Sequence, residues 1–397
     1  MESLVRRNKM LIAHTSTKMV RSIMDEINWD NRLISIRGAR GIGKTTLMLQ
    51  YLKINGIDYK QSLYVSLDGG YFTQHSLIEF AEEFYVRGGK HLFLDEVHKY
   101  PTWSREVKEI YDNFPELKLV LSGSSVLNIL NADADLSRRC LPYEMQGLSF
   151  REYLWLVKNI RIEPVSLEDL LNHGDEFCDM VNEKCRPLEF FDDYLENGYY
   201  PFVLEGKRDY LTRLQSVIDF ILEVELPLHC GVEVGNIRKI KSLLTILASN
   251  VPMQVDISKL SVSIGTSRQT VLSYLQSLKR ARLINLLYSD ESSLKKMQKP
   301  DKIYLENTNI ADVLSLATPN TGTLREAFFV NQLMYKHSVE YRSKGDFRID
   351  GKYTVEIGGK SKGGKQIANV ENGFIAADDV EYAYGNKIPL YAFGFLY

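Results

Sequence analysis

The sequence predicts an α/β protein: a parallel sheet first, then a helical stretch, a helix-turn-helix with a hairpin, and a second mixed α/β segment. Three observations carry this. Four short apolar runs within residues 33–121 are separated by stretches of helical length. A glycine-rich loop joins the first run to the first of those helices, and the hydrophobic period changes near residues 150 and 237. The 397 residues are enough for two or three domains, each with its own core. At 44% apolar, 25% charged and 11% aromatic the composition is globular, which excludes disordered, collagen-like and coiled-coil classes. No run approaches 18 uncharged apolar residues, so no membrane-spanning helix and no membrane partner is expected.

Residues 1–28 carry Leu4, Met10, Leu11, Met19, Val20, Ile23, Met24 and Ile27 at helical spacing and predict a leading helix. Its charged start (Glu2, Arg6, Arg7, Lys9) has no apolar core behind it, so a secretion signal is not expected. Residues 33–37 predict a strand, 38–46 a loop and 47–54 a helix. Further strands at 63–67, 91–94 and 117–121 alternate with helices at 77–86 and 107–114, a βαβαβαβ order that requires a parallel sheet. Residues 152–225, helix-like and rich in aromatics and acids, read as a helical lid or connector. Helices at 237–249, 257–262 and 267–279, with a turn at Gly265, then a run at 283–288 and a basic hairpin, follow the order of a winged helix-turn-helix. Strands are expected at 347–349, 353–357 and 390–395. Cys140, Cys178, Cys185 and Cys230 are scattered without a CxxC pair, which fits a reduced, cytoplasmic setting.

The loop Gly38-Ala39-Arg40-Gly41-Ile42-Gly43-Lys44-Thr45-Thr46 matches GxxxxGK[ST] between a predicted strand and a predicted helix. Glycines let backbone N–H groups curl around a phosphate, the helix amino terminus adds partial positive charge, Lys44 reaches the β- and γ-phosphates, and Thr45 supplies a Mg²⁺ ligand. The expected ligands are therefore ATP and Mg²⁺. Asp95 and Glu96 end the apolar run at 91–94: Asp95 is the carboxylate for the Mg²⁺ shell, and Glu96, directed the other way, is the base that polarises a water towards the γ-phosphate. For Ser122 and Ser124, at the end of the run at 117–121, two readings stay open: a hydroxyl that senses the γ-phosphate, or the N-cap of a helix starting near Val126. Arg138 and Arg139 are candidates for an arginine that reaches a nucleotide in a neighbouring subunit of a homo-oligomer, against the alternative of an ordinary exposed pair. His98 reads as a structural hydrogen-bonding group.

Together the segments GARGIGKTT, HLFLDEVHKYPTW, LVLSGSS, GLSFREYL and YLENGYYPFVL resemble prokaryotic AAA-type ATPases that join an ATPase core to a carboxyl-terminal domain of unknown function. The resemblance spans nearly the whole chain. It implies a P-loop α/β core with strand order 5-1-4-3-2, a helical lid, a winged helix and a restriction-endonuclease-like carboxyl-terminal domain. The corresponding division is 1–151, 152–235, 236–310 and 311–397. Gly198-Tyr199-Tyr200-Pro201 looks like the family's lid motif near the nucleotide base, with ordinary core as the alternative.

In the last segment Glu326, Asp346, Glu356 and Lys360 fall in the order used by PD-(D/E)xK nucleases, whose acids bind Mg²⁺ while the lysine orients a water. The spacing of four from Glu356 to Lys360 departs from the usual two, although on a strand of period two it still keeps both side chains on one face; a degenerate nuclease fold used for binding is expected ahead of an active nuclease. Residues 236–302 hold twelve basic residues against four acids, a net +8, and the remainder of the chain is −10. Arg268, Gln269, Ser273 and Gln276 fall on the recognition helix, and Lys295, Lys296 and Lys299 on the hairpin behind it, so double-stranded DNA is the expected partner, with a protein-binding module or a rigid spacer as the alternative. The leading reading is an ATP-hydrolysing AAA-type switch or motor that couples nucleotide state to DNA or partner binding. A nucleotide-controlled Mg²⁺-dependent nuclease and a nucleotide-gated protein scaffold are the alternatives.

Overall fold

The computed structural model describes residues 1–56, 58–124, 136–250, 253–289, 299–315 and 320–397. The chain forms two compact units, Met1–Gln146 and Gly147–Tyr397. In the first, α1 (Glu2–His14) and α2 (Ile23–Glu26) precede β1 (Leu33–Gly38), α3 (Lys44–Ile54), β2 (Ser62–Ser66), α4 (Leu77–Val86), β3 (His91–Asp95), α5 (Trp103–Asn113), β4 (Lys118–Ser124) and β5 (Leu141–Glu144). The strands pair in parallel in the order β2-β3-β4-β1-β5, which is the 5-1-4-3-2 order expected.

Period two sorts the residues of these strands onto two faces. Leu63, Val65, Leu92, Leu94, Leu119 and Leu121 form one buried layer with Phe80, Phe84, Val107 and Ile110 of α4 and α5. Tyr64, Phe93, Asp95 and Ser122 therefore share the other face, where α3 packs; there Tyr51 of α3 stacks on Trp29 at 3.8 Å and meets Phe93 at 5.9 Å. The single leading helix expected over residues 1–28 is broken. The backbone at Thr15 is extended and its hydroxyl donates to Leu11 O, a local bond that competes with helix continuation.

The second unit continues with helices α6 (Phe150–Lys158), α7 (Leu167–Asn172), α8 (Gly174–Lys184), α9 (Pro187–Asn197), α10 (Tyr210–Phe220) and α11 (Leu226–Cys230). Next come α12 (Ile237–Asn250), β6 (Met253–Gln254), α13 (Ile257–Ser263), α14 (Arg268–Arg280), β7 (Ile284–Leu287) and β8 (Lys302–Leu305), the strands forming an antiparallel sheet in the order β6-β8-β7. After α15 (Asn309–Leu314) and α16 (Thr321–Leu333), β9 (Val339–Tyr341), β10 (Phe347–Ile349), β11 (Tyr353–Gly358), β12 (Gly373–Ala377) and β13 (Lys387–Pro389) build a mixed sheet in the order β13-β12-β11-β10-β9. The strand expected at 390–395 is a 3₁₀ helix, Leu390–Phe395, buried throughout. Pro389 has no N–H to extend the ladder, and the apolar run that follows is enclosed on all sides rather than on alternating ones.

Asn309 organises the interior of this unit. It is fully buried, its Nδ2 donates to Tyr194 O at 3.1 Å and Leu195 O at 2.6 Å, and its Oδ1 accepts from Tyr199 N at 2.8 Å and from the Tyr210 hydroxyl. Asn309→Ala strands these partners and is expected to cost about 2–4 kcal/mol, since each buried polar group left unsatisfied costs about 1–3 kcal/mol. Amide hydrogen exchange should then accelerate through α9 and α15 while the protection of the first unit stays as in the wild type.

Candidate functional site

β1 delivers the chain into the phosphate loop at Gly38, where a Cβ would lie 2.3 Å from Met145 O; only glycine passes. Gly41 and Gly43 take φ of 84° and 100°, values that side-chain-bearing residues rarely adopt, and Gly43 is the N-cap from which α3 begins at Lys44. The Lys44 side chain is buried and its ammonium donates to Gly38 O at 2.9 Å and Ala39 O at 2.8 Å. Loop, helix start and lysine are thus assembled at the carboxyl end of the sheet, the edge where open α/β sheets bind ligands.

Asp95 closes β3 and is 2% exposed. Its Oδ2 accepts from the Thr45 hydroxyl at 2.6 Å and the Tyr64 hydroxyl at 2.6 Å, while its Oδ1 accepts from the Glu96 amide at 3.0 Å and from the Ser122 hydroxyl. Four donors from separate elements stabilise one buried carboxylate, each charge-assisted bond contributing about 1.5–3 kcal/mol. Glu96 follows in the left-handed region at φ 54°, a conformation that costs a glutamate of order 1–3 kcal/mol and turns the chain out of the strand. Its Oε2 lies 3.4 Å from His98 Nε2 and 3.9 Å from the Arg40 guanidinium. A cavity of about 400 Å³ opens here, lined among others by Arg7, Arg40, Thr45, Tyr64, Asp95 and Glu96.

Lys44, Thr45, Asp95, Glu96 and Ser122 are therefore gathered at one end of the sheet, and Ser122, buried within β4 with its hydroxyl bonded to Asp95, is not a helix cap. Ser124 is buried at the end of the same strand, and the helix expected from Val126 lies outside the described residues. Arg139 is held by Asp112 of α5, Nε to Oδ1 at 3.1 Å and Nη2 to Oδ2 at 3.2 Å, and lies over the Tyr111 ring, whereas Arg138 is exposed. A guanidinium committed to a two-pronged bond within its own unit is a poor finger, so Arg138 is the better candidate of the pair. Tyr199 and Tyr200, read as base contacts, are each 2% exposed; the Tyr199 amide donates to Asn309 and the Tyr200 hydroxyl accepts from Asn307 at 3.3 Å. Burial raises both phenols, Tyr199 to about 12. They are core residues of the second unit.

Sequence reasoning does not single out Tyr64. The run at 63–67 reads as plain buried strand, yet a tyrosine inside such a run carries a hydroxyl that needs a partner, and that is the available signal.

Each acid of the last segment is bonded to its own partner. Glu326 accepts from Tyr304 at 2.6 Å and pairs with Lys302 at 3.3 Å, and Asp346 accepts the Ile357 amide at 2.7 Å. Glu356, 1% exposed, pairs not with Lys360 but with Lys362 at 2.8 Å. β11 ends at Gly358, so the alternation that would have brought Lys360 to the same face stops short; Lys360 is exposed, while a Cβ at Gly358 would lie 2.6 Å from Lys362 Cγ. Lys362 thus fills the space over Gly358. Among the described residues no three His, Cys, Asp or Glu side chains are grouped to hold a metal ion.

The charge of residues 236–302 is also redistributed by the fold. Lys241 pairs with Asp219 and Glu223, Arg282 with Glu306 and Lys302 with Glu326, all acids from outside that stretch. On α14, Arg268, Gln269, Ser273, Gln276 and Arg280 are exposed, and a groove of about 660 Å³ separates this helix from Tyr288, Lys299 and Pro300. Lys295 and Lys296 lie outside the described residues.

The sheet order, the loop and the Asp95 end of β3 define a P-loop nucleotide-binding fold of the ATPase type. Residues 30–154 match the family described as "AAA domain", so this region is an AAA-type ATPase domain, and residues 188–321 match a domain of unknown function. An uncharacterized protein of Methanocaldococcus jannaschii is 26% identical over 93% of this chain and 85% of its own length; a second from the same organism is 23% identical over 65% and 56%. Among solved structures, AMPPCP-bound DnaA from Aquifex aeolicus is matched at 16% identity over 74% of this chain and 91% of that one, with a TM-score of 0.28. No helix among the described residues is long and apolar enough to cross a membrane.

The Glu356 pairing gives a direct check. Lys362→Met leaves a buried carboxylate uncompensated and should destabilise the second unit by about 3–5 kcal/mol, whereas Lys360→Met should stay within about 0.5 kcal/mol, measured by urea denaturation.

Proposed function

We propose that the first unit binds ATP with Mg²⁺ and hydrolyses it. The observation that carries this reading is the Asp95 carboxylate held against the Thr45 hydroxyl at the start of the phosphate-loop helix. These are hard oxygen donors of the kind Mg²⁺ takes, beside a loop whose glycines leave the backbone free to curl around a phosphate. Thr45 and Asp95 would hold the metal, which would offset the negative charge of the phosphates.

Lys44 exchanges its two loop carbonyls for phosphate oxygens. Residues 38–46 wrap the phosphates. Glu96, aimed by its left-handed turn and flanked by Arg40 and His98, takes a proton from the attacking water as that oxygen bonds to the γ-phosphorus and the bond to the ADP oxygen breaks. Arg138 is left to act on a neighbouring copy in a homo-oligomer. Lys44→Ala should abolish ATP binding, and Glu96→Gln should bind ATP normally with turnover lowered about 10²- to 10⁴-fold. Equilibrium binding of a fluorescent ATP analogue and a phosphate-release assay read the two effects. Normal affinity in Lys44→Ala would remove the assignment of the loop.

The proposal extends to the second unit as a DNA-binding winged helix made of α12 to β8. The support is the helix-strand-helix-helix-strand-strand order with sheet order β6-β8-β7, and the polar face of α14 along its groove. Nucleotide state would then govern DNA engagement. DNA cleavage is not part of the proposal, because the described carboxylates of the last segment are bonded separately. Arg280→Ala combined with Lys299→Ala should weaken binding to any duplex about equally and reduce the slope of log affinity against log salt by roughly 0.9 for each phosphate no longer neutralised. A fluorescence titration at several salt concentrations decides it; no affinity of the intact chain for duplex DNA at low salt would assign the face to an acidic protein partner instead.

A further inference from the structure

We infer that Tyr64 is a positioning residue of the metal site: its hydroxyl fixes the orientation of the Asp95 carboxylate, while its backbone amide ties β2 to the amino-terminal helix. This rests on the reading of Asp95 as the metal-holding carboxylate.

Tyr64 lies on β2 in register with Phe93 and is 7% exposed. Its hydroxyl stands 2.6 Å from Asp95 Oδ2, the same oxygen that takes the Thr45 hydroxyl, and forms part of the wall of the cavity beside Glu96. Ser122 and the Glu96 amide occupy the other oxygen. The carboxylate cannot rotate without breaking bonds on both oxygens. At that distance the phenol O–H donates and the carboxylate oxygen accepts. Phenylalanine would serve the packing of this position, as Phe93 does on the neighbouring strand. The hydroxyl is what packing leaves unexplained.

The second link runs outward. The Tyr64 amide donates to Asn8 Oδ1 at 3.2 Å, and Asn8 is 1% exposed in α1. α1 is further tied to the core where Lys53 of α3 donates to Ala13 O and Thr15 O at 2.9 and 2.6 Å. One residue therefore joins the docking of α1 to the orientation of the carboxylate. Groups that orient metal ligands in this way matter about 10- to 100-fold in metal affinity.

The test uses the full chain and Mn²⁺ as the probe, titrated by electron paramagnetic resonance in the presence of a non-hydrolysable ATP analogue. Tyr64→Phe should bind Mn²⁺ about 10- to 100-fold more weakly. The affinity for the analogue measured in EDTA should be unchanged, and in steady state the kcat should fall with little change in KM for ATP at saturating Mg²⁺. Amide exchange of β2 establishes that the variant is folded, and Asn8→Ala should shift Mn²⁺ affinity in the same direction. Wild-type Mn²⁺ affinity in folded Tyr64→Phe overturns the inference and leaves the Asp95 reading standing. Unchanged Mn²⁺ affinity in Asp95→Asn overturns that reading, and this inference with it.

Discussion

A carboxylate buried at the end of a strand is the constraint on which the first unit depends. Asp95 is nearly inaccessible, and removing its charge from water costs several kcal/mol unless hydrogen bonds replace the solvent. The replacements come from four places: Thr45 at the start of α3, Tyr64 on β2, Ser122 on β4 and the amide of Glu96. No single element supplies two of them. β3 must therefore lie between β2 and β4, and α3 must cover the same face, or the charge is stranded. The β2-β3-β4 neighbourhood and the start of α3 together satisfy this one side chain.

Much of this is legible from residue patterns because each signal is local. The loop motif (38–46) and the strand ending in two acids (91–96) are short, the alternation of apolar runs with helical stretches is built run by run over residues 33–121, and together they specify a parallel sheet with its ligand edge. Tyr64 is not legible in that way. Its role depends on a neighbour thirty-one positions away, and strand periodicity says only that the two share a face. The lysine partner of Glu356 is misread for a related reason: extrapolating period two past Gly358 assumes a strand where the chain has already left it. The strand expected at 390–395 does not form because a run buried on all sides carries no period at all.

Charge counted along the sequence misleads where the fold supplies partners from elsewhere. Several of the basic residues between 236 and 302 are matched by Asp219, Glu223, Glu306 and Glu326, so the net +8 of that stretch overstates the charge available to a polyanion. What remains on α14 is a mostly polar face with arginines at its two ends. If such a face engages a duplex as proposed, it does so through a few phosphate contacts rather than by bulk attraction, so the affinity should be modest and its salt dependence shallow.

The polar groups assigned to nucleotide and metal are each satisfied within the chain. Lys44 bonds to two carbonyls of its own loop and Thr45 to Asp95, so the first unit needs no ligand to avoid buried unpaired charge. Ligand binding then becomes an exchange of partners, and its net free energy is smaller than the new contacts alone suggest. The exchange is uneven. Lys44 must release both carbonyls to reach a phosphate, while Asp95 can keep Ser122, Tyr64 and the Glu96 amide throughout, because these approach from the sheet and its turn rather than from the loop. On the proposed reading the loop would rearrange and the carboxylate would stay, which would place the reference point of the site on β3 and make the glycines, rather than the acids, the residues that must tolerate movement.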